Sequence, residues 1–509
     1  MNKNKNINFH FQDLMLYRIH EILLVASPYD AFILEEDGKL TEQILSEYLG
    51  MNLSYAPRVW NAPSANIADQ MLEKRFFDII IVMMRISDMD PLKFSQDLKK
   101  RYPKKPIVLL AFDQSEIKHI SMKNQSIFDE IFIWTGDSTV FPAMIKSIED
   151  KHNINTDVKT AGVRSILFIE DTPRFYSSIL PVLYKEIIQN TKLLIDKSLN
   201  SSQKLLHMRA RPKIILVKTY EEAIKYLKKY RYNTLGIISD LNFPDKKNKN
   251  SFSGLKLIKY LKKIKSNIPL ILQTTEKDTL EIEEKYNVQV LDKNSHKLFQ
   301  NLKKFMNDNF GFGNFKFRYP DGKLIKEVTT ISNFKKILGT IPSESLEYHS
   351  SKNHLSNWFA TRGEFELASN FRKLKKTDFA TIEKRRKHHL NLLNKIKFDH
   401  DAPIIEFSNL KQKSTHNFIQ IGGGSLGGKA RGLAFANGLL INDNFKKKFP
   451  DIKIRVPKIF SIATNEFDNF METNNLWDIA LGSLSNKKIE EKFIAAKLSK
   501  KLLKNLEKI

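Results

Sequence analysis

The carboxylate of Asp240 follows the apolar segment Leu235–Ser239, and three further apolar segments also end in polar residues. These polar residues are Glu170 and Asp171 after 165–169, Thr274 after 269–273, and Asp292 and Lys293 after 288–291. Carboxylates are hard oxygen ligands for Mg²⁺, which usually keeps several of its waters in proteins. An ammonium and a hydroxyl could offset charge on, and hydrogen-bond, the oxygens of a phosphoryl group arriving at Asp240. The residue types therefore suit a carboxylate that accepts a phosphoryl group beside one metal ion.

All four segments have the length and composition of strands in a parallel α/β sheet. Strand ends in such a sheet open onto one edge, where ligands bind. We therefore expect Glu170 and Asp171 to meet Asp240 at that edge, with Thr274 and Lys293 close by. The alternative is that these are ordinary polar strand ends of an unrelated doubly wound domain.

On these residues, and on Pro244 four positions after Asp240, the segment 163–310 resembles a response-regulator receiver domain. The resemblance implies a flavodoxin-like fold and a phosphohistidine protein, a sensor kinase, as phosphoryl donor. It assigns roles as follows: Asp240 is the phospho-acceptor, Glu170, Asp171, Asp240 and the backbone of Asn242 hold Mg²⁺, Thr274 is the switch hydroxyl, and Lys293 is the conserved lysine. One departure from the family is a long insertion between Ile187 and Arg211.

Residues 20–150 repeat the same α/β pattern but lack the residues that could bind Mg²⁺ or accept a phosphoryl group. Candidate strands are Glu21–Val25, Asp78–Val82, Pro106–Leu110 and Asp129–Ile133. Ala26 and Ser27 stand where a receiver has its acidic pair, and Met83 stands where it has its acceptor. Ala111 stands at the position of the hydroxyl, and Trp134 at that of the lysine. Asp88 and Asp90 lie too far past the strand to substitute. We therefore expect a second flavodoxin-like sheet, a pseudo-receiver that binds neither Mg²⁺ nor phosphate and serves packing or partner contact.

The remaining segments connect these units. The polar stretch Asp150–Gly162 has the character of a linker, and 246–251 that of a mobile loop beside Asp240. Residues 320–400 form a helical connector in which a polar cluster is expected to cap helices and bond across domains rather than bind an anion or metal: His349, Asn353, His354, Asn357 and Arg362. His388 and His389 lie among basic residues on what reads as a solvated helix.

A glycine-rich loop, 421–433, precedes a predicted helix that starts near Lys429. Glycines let backbone N–H groups approach phosphate oxygens, and a helix N-terminus favours anions. The loop is not a P-loop, because Ala430 stands where that motif needs a hydroxyl. A flexible turn without a ligand remains the alternative.

Gly427, Gly428 and Lys429, with the segment 456–464 and the helical tail 487–509, resemble the start of the nucleotide-binding domain of phosphoenolpyruvate synthase and pyruvate phosphate dikinase. The resemblance covers 404–509 and implies an incomplete α+β, ATP-grasp-like portion that contacts ATP through Lys429. The family's metal-binding acids, phosphohistidine domain and pyruvate-binding barrel do not follow in this sequence. We therefore expect that the catalytic half of such an enzyme is absent, and whether the chain is an enzyme stays open.

The composition of the chain further narrows the classes of protein to which it could belong. A length of 509 residues suits three or four domains, and the absence of cysteine excludes disulfides and thiolate chemistry. The net charge of +26 comes from lysines spread along the chain, which does not favour nucleic acid as a partner. No apolar run has the ~20 residues of a membrane span, so a soluble cytoplasmic protein is expected. The sequence predicts a phosphorelay regulator that controls a dikinase-type module; the alternatives are an ATP-dependent phosphotransferase of that family and a silent structural adaptor.

Overall fold

The computed structural model describes residues 11–36, 40–50, 56–118, 120–134, 136–197, 201–245, 252–276, 279–395, 404–407, 418–442, 451–452, 457–482 and 484–509. The predicted loop at 246–251 lies outside these residues. The chain divides into two compact units, Met1–Lys192 with Leu206–Leu393, and Leu193–Leu205 with Asn394–Ile509. Within the described residues, no helix is both long and apolar enough to cross a membrane.

The first sheet of the larger unit is five-stranded and parallel, in the order β2-β1-β3-β4-β5. Its strands are β1 (Glu21–Val25), β2 (Arg58–Ala62), β3 (Ile79–Met83), β4 (Ile107–Ala111) and β5 (Glu130–Ile133). Its helices are α1 (Pro28–Glu36), α2 (Leu40–Gly50), α3 (Ala65–Lys74), α4 (Pro91–Arg101), α5 (Gln114–Lys118), α6 (Met122–Gln125) and α7 (Val140–Ala161). The four predicted strands are confirmed to within a residue. The edge strand β2 was not predicted, because its polar and apolar residues are mixed and it is only partly buried.

The second sheet has the same parallel topology, with the order β10-β9-β8-β6-β7. Its strands are β6 (Ser165–Ile169), β7 (Lys213–Val217), β8 (Thr234–Asp240), β9 (Leu270–Thr274) and β10 (Gln289–Asp292). Helices α8 (Pro173–Lys197), α9 (Ser201–Arg209), α10 (Tyr220–Tyr230), α11 (Ser253–Lys263), α12 (Leu280–Tyr286) and α13 (Leu298–Asn309) connect them. Counted along the chain, both sheets have the flavodoxin-like order 2-1-3-4-5. The predicted fold class is confirmed.

The prediction of a linker at Asp150–Gly162 is wrong, because these residues are the second half of the 22-residue helix α7. The helix ends at Gly162, whose φ of 69° is the left-handed conformation that favours glycine at a helix C-terminus. Three polar residues of this half, Asp150, Asn153 and Asp157, are buried, and the two aspartates pair with residues at the start of β7. Asp150 lies 2.8 Å from Arg211, and Asp157 lies 3.0 Å from Lys213. The segment 187–211, read from the sequence as an insertion, is helical where it is described, in α8 and α9.

The connector begins with an antiparallel hairpin of β11 (Phe315–Arg318) and β12 (Leu324–Val328). Helices follow, as predicted: α14 (Ile331–Leu338), α15 (Ser343–Ser351), α16 (His354–Ala360), α17 (Phe365–Lys373) and α18 (Ile382–Lys395). Stacked and edge-on rings of Phe315, Phe334 and Trp358 form its core. Gly311 lets this core approach the second sheet, because its φ is +82° and a Cβ there would lie 2.5 Å from the Trp358 backbone nitrogen.

The polar cluster of the connector bonds to the backbone of neighbouring elements, as predicted, but the Asn353 side chain does not cap α16 as expected and instead donates to the carbonyl of Asn267. Asn357 donates to the carbonyls of Leu235 and Asn309, and the His349 ring accepts the N–H of Arg318 at 2.9 Å. The prediction that His389 is solvated is wrong, since it is 1% exposed and packs on Phe371 with ring centroids 4.8 Å apart. Burial lowers the pKa of His389 to about 3.

The smaller unit contains a parallel three-stranded sheet in the order β13 (Ile404–Glu406), β14 (Phe418–Ile421), β15 (Ile459–Ile462). Helix α19 (Gly428–Asn442) follows β14 directly, close to the predicted start at Lys429. The helices described after β15 are Thr464–Thr473, Trp477–Leu481, Asn486–Ala495 and Lys500–Leu506.

Candidate phosphorylation site

Four strand ends of the second sheet bring the predicted residues together. Asp240 is the last residue of β8, and Glu170 directly follows β6, the neighbouring strand. Thr274 ends β9, on the other side of β8, and Lys293 directly follows the edge strand β10. Strands β6 and β8 are buried along their length, so the chemistry is confined to their carboxyl ends.

The three predicted acids form one cluster. Glu170, Asp171 and Asp240 each offer a carboxylate oxygen, and these oxygens lie within 4.8 Å of one another. Glu170 is fully buried and Asp240 is 7% exposed. Over the described ranges, this is the one acidic group with a spacing that suits a shared metal ion.

Lys293 reaches across the sheet to this cluster. Its Nζ lies 2.6 Å from Glu170 Oε2 and 2.7 Å from Asp240 Oδ2. The same ammonium lies 4.3 Å from the centroid of the Phe175 ring, at the start of α8. One ammonium thus holds two carboxylates together, and the cluster of three acids keeps an excess of negative charge.

Thr274 and Asn242 complete the edge. The Thr274 hydroxyl accepts the N–H of Glu276 at 3.1 Å, and its carbonyl accepts the N–H of Lys293 at 2.8 Å. The backbone N–H of Asn242 donates to Asp240 Oδ1 at 3.3 Å. The Asn242 side chain donates to Glu276 Oε1 at 2.8 Å, which ties the two loops beside Asp240 to each other.

Burial dominates the electrostatics of the cluster. It raises the pKa of Glu170 to about 7, with the pull of Lys293 opposing and the charge of Asp240 adding to the rise. Burial and Asp240 also raise the pKa of Asp171. The part of each rise that comes from Asp240 is repulsion between neighbouring carboxylates. Hard carboxylate oxygens with unmet negative charge fit one Mg²⁺ ion.

The same edge of the first sheet holds different residues. Ala26, Met83, Ala111 and Trp134 occupy its strand ends. The guanidinium of Arg85 lies 3.6 Å from the buried Asp30 and 3.4 Å from Glu116. Asp88 accepts two N–H bonds at the start of α3, and Asp90 caps α4. At this edge of the first sheet the positive charge beside Asp30 and Glu116 comes from the Arg85 side chain. The two aspartates that follow β3 stabilise the starts of helices.

The glycine loop of the smaller unit is open at its predicted phosphate-binding residues. Among the described residues, no atom lies within 4 Å of the position that a Cβ would take at Gly427 or Gly428, and Lys429 is exposed at the first turn of α19. The loop itself is fixed by Gln420, which donates to the carbonyls of Gly422 and Gly424, both at 3.1 Å. A helix start with open space and one cation is compatible with an anion, and the described residues nearby add no metal-binding acidic group.

Sequence reasoning missed two contributors to the Asp240 site. Phe175 reads as a core residue of α8 and instead stacks on the Lys293 ammonium. Gln273, directly before Thr274, is fully buried, and neither of its amide atoms is paired within the described part of the chain. The sole sequence signal for Gln273 is an amide in an otherwise apolar strand, Leu-Ile-Leu-Gln.

No protein-family model matches the chain, and no curated protein matches it. Among solved structures it is similar to the response regulator TrrA from Thermotoga maritima in complex with Mg²⁺ and BeF, at 15% identity over 23% of this chain and 88% of that chain, with a TM-score of 0.17. It is similar to a signal receiver domain of an HD domain-containing protein from Pseudomonas fluorescens, at 20% identity over 27% and 96% of the two chains, with a TM-score of 0.19. NtrX from Brucella abortus aligns at 9% identity over 94% and 99%, with a TM-score of 0.22.

Proposed function

We propose that this chain is a phosphorelay regulator in which Asp240 accepts a phosphoryl group from a phosphohistidine of a sensor kinase. The observation that carries the proposal is the cluster of Glu170, Asp171 and Asp240 within 4.8 Å, with the Lys293 ammonium bound to two of them. In this proposal 163–310 is the phosphorylatable receiver and 20–150 a degenerate one. Residues 320–400 connect them to 404–509, the start of a dikinase-type nucleotide-binding domain.

Asp240 is the nucleophile of the transfer. One of its oxygens forms a bond to phosphorus as the bond between phosphorus and the donor histidine nitrogen breaks. The electron pair of the broken bond stays on the imidazole, which takes up a proton. Asp240 is 7% exposed, so its carboxylate remains within reach of a donor at the rim of the sheet.

The neighbouring residues suit the charge that arrives. Glu170, Asp171, Asp240 and the backbone of Asn242 would hold Mg²⁺, which when bound offsets charge on the phosphoryl oxygens. Lys293 carries a positive charge to the same oxygens. Thr274, whose hydroxyl accepts from Glu276, still has its own proton to donate to a phosphoryl oxygen. A new bond from Thr274 would change the β9 loop, which is how added charge can be transmitted to a partner.

Phosphoryl labelling tests the proposal. With acetyl phosphate and Mg²⁺ the wild-type chain is expected to form an acid-stable, base-labile phosphoprotein, and Asp240→Asn to form none. Asp292→Asn is the matched control, because Asp292 is exposed at the next strand end but one and bonds its own loop. Equal labelling of wild type and Asp240→Asn contradicts the assignment of the acceptor.

Binding of beryllofluoride separates this proposal from a silent adaptor. Mg²⁺-dependent binding of this phosphoryl mimic is expected in wild type and is expected to be lost in Asp171→Ala. An adaptor with two silent sheets binds beryllofluoride in neither protein.

A second candidate, an ATP-dependent phosphotransferase, is favoured by the open glycine loop at the start of α19. It predicts that ATP binds this chain and that Lys429→Met weakens the binding at least tenfold, as expected for loss of a charged hydrogen bond to phosphate. It also predicts that pyruvate is consumed with ATP. Binding without pyruvate turnover would support a nucleotide-binding module under the control of the receiver.

A further inference from the structure

A buried glutamine, Gln273, lies on the strand between Lys293 and its two carboxylates. Gln273 pairs in register with Asp240 on β8 and with Leu291 on β10. Register neighbours in a parallel sheet point to the same face, so Gln273 shares a face with the acceptor. The residue is 0% exposed.

Lys293 can reach the acids only across β9. It follows β10, whereas Asp240 ends β8 and Glu170 follows β6, and β9 lies between β10 and β8 in the sheet. Two residues past Leu291, Lys293 continues the face on which Gln273 lies. The route from the end of β10 to the two carboxylates therefore crosses β9 on the face that carries Gln273.

The amide of Gln273 has no hydrogen-bond partner among the described residues in this arrangement. Neither Oε1 nor Nε2 is paired, although both are buried. An unpaired buried amide costs free energy, and a state in which it gains a partner is favoured accordingly. Lys293 has three N–H donors, of which one is donated to Asp240 Oδ2, while Glu170 Oε2 lies 2.6 Å from Nζ as an ion pair.

We propose that Gln273 is a positioning residue for Lys293: its amide oxygen accepts a hydrogen bond from the ammonium once a divalent cation takes the oxygens of Glu170 and Asp240. The inference rests on the proposed Mg²⁺ site. This hydrogen bond gives the unpaired amide of Gln273 a partner. It also gives the Lys293 ammonium an acceptor on β9, the strand between Lys293 and the acids. Gln273 then keeps Lys293 aimed at Asp240 in the metal-loaded state, ready for phosphoryl oxygens.

The role predicts two opposite effects of one substitution. Gln273→Leu is expected to bind Mg²⁺ about tenfold more weakly, which corresponds to the loss of one hydrogen bond to a charged group. In the absence of metal the same variant is expected to unfold at a higher urea concentration, because an unpaired buried amide is gone. A residue with a purely structural role would not show this opposition.

Titration calorimetry with MgCl₂ and urea unfolding test the proposal on the full chain, with Gln273→Met as a second variant of closer shape. Ile271→Val, buried on the same strand and face, is the control and is expected to keep the wild-type Mg²⁺ affinity. The decisive comparison repeats Gln273→Leu in a Lys293→Met background, where the tenfold effect is expected to vanish.

Each outcome bears on a different claim. Equal Mg²⁺ affinity of wild type and both Gln273 variants overturns the role of Gln273. Weakening of the same size with and without Lys293 also overturns it, because the effect then bypasses the lysine. Absence of Mg²⁺ binding to wild type overturns the proposed metal site itself, and with it this inference.

Discussion

At the scale of single residues, the site around Asp240 is organised by charge that is only partly balanced. Two buried carboxylates share one ammonium, and Asp171 adds a third acid beside them. Removing one partner of a buried ion pair leaves the other charge uncompensated, which costs more than the pair contributes. Besides its proposed part in phosphoryl transfer, Lys293 therefore stabilises the metal-free site by compensating the charges of Glu170 and Asp240.

Lys293→Met is expected to destabilise the metal-free protein by about 3 kcal/mol, because Glu170 and Asp240 would be buried without a cation. Saturating Mg²⁺ is expected to restore part of this loss, since the ion compensates the same carboxylates. Urea unfolding at pH 7.5 with and without MgCl₂ measures both effects. Lys304→Met, an exposed lysine on α13, should change neither value, and a loss of similar size there would contradict the argument.

The cluster around Asp240 could be predicted from sequence because each of its charged residues ends an apolar strand or lies within two residues after one. Position along the chain then fixes position at the sheet edge. Gln273 could not be assigned a role in this way. Its importance depends on the strand order, which places β9 between Lys293 and its acids, and strand order is a property of the whole sheet.

At the scale of secondary structure elements, helix α8 joins the acceptor site to the first sheet. Its first turns carry Phe175 against Lys293 and present the next two side chains to β5. Tyr176 donates to the carbonyl of Ile131, and Ser177 accepts the N–H of Ile133 at 2.9 Å. Helix α8, which starts shortly after Glu170 and Asp171, therefore forms hydrogen bonds to β5, the edge strand of the first sheet.

Ser177→Ala is expected to accelerate hydrogen exchange of the Ile133 amide by at least tenfold, because that edge N–H loses its acceptor in a buried position. Exchange measured by NMR checks this directly. Ser178→Ala is the matched control, since its exposed hydroxyl bonds within α8 to the carbonyl of Phe175. Unchanged exchange at Ile133 would mean that the helix does not secure this strand.

The connector helices bury histidines that must stay neutral. Burial, reinforced by nearby arginines, lowers the pKa of His349 and of His389 to about 3. A pKa below the unfolded value of about 6.5 means that the unfolded chain binds more protons, so stability is present above that value and is lost as pH falls. Between pH 7.5 and 5.0 each such histidine costs about 2 kcal/mol.

His389→Leu is therefore expected to lose about 2 kcal/mol less unfolding free energy than wild type when the pH is lowered from 7.5 to 5.0. Urea unfolding at both pH values gives the difference. His388→Leu, which removes the exposed neighbour, should keep the wild-type pH dependence. The same dependence in wild type and His389→Leu would show that His389 titrates normally in the folded chain.

At the scale of the whole molecule, the two five-stranded sheets share buried polar contacts. Asp150 and Asp157 of α7 pair with Arg211 and Lys213 at the start of β7, all four of them nearly inaccessible to water. The sequence of Asp150–Gly162 predicts a linker because its polar residues look solvated in isolation. Their partners lie some fifty to sixty positions further along the chain, out of reach of any local pattern.

Shared buried contacts predict that the sheets unfold together. In 5-fluorotryptophan-labelled protein, the ¹⁹F resonances of Trp60, Trp134 and Trp358 are expected to disappear at one urea concentration. Mg²⁺ with beryllofluoride is expected to raise that common midpoint, including for the two tryptophans of the first sheet, by linkage to the folded state. Separate midpoints for Trp60 and Trp358 would contradict shared stability.

Helix α7 forms buried contacts with the start of the first sheet and with the second sheet. This limits how the protein can be divided into separate fragments. A piece that starts at residue 163 would carry two cationic side chains, Arg211 and Lys213, at a surface stripped of the acids that neutralise them. A piece that stops at residue 150 would lose Asn153 and Asp157, which bind the backbone of Tyr17 and Met15 before the first strand. Neither half keeps all of these contacts, and gene shuffling or biochemical dissection must therefore keep both sheets, β1 to β10, in one piece.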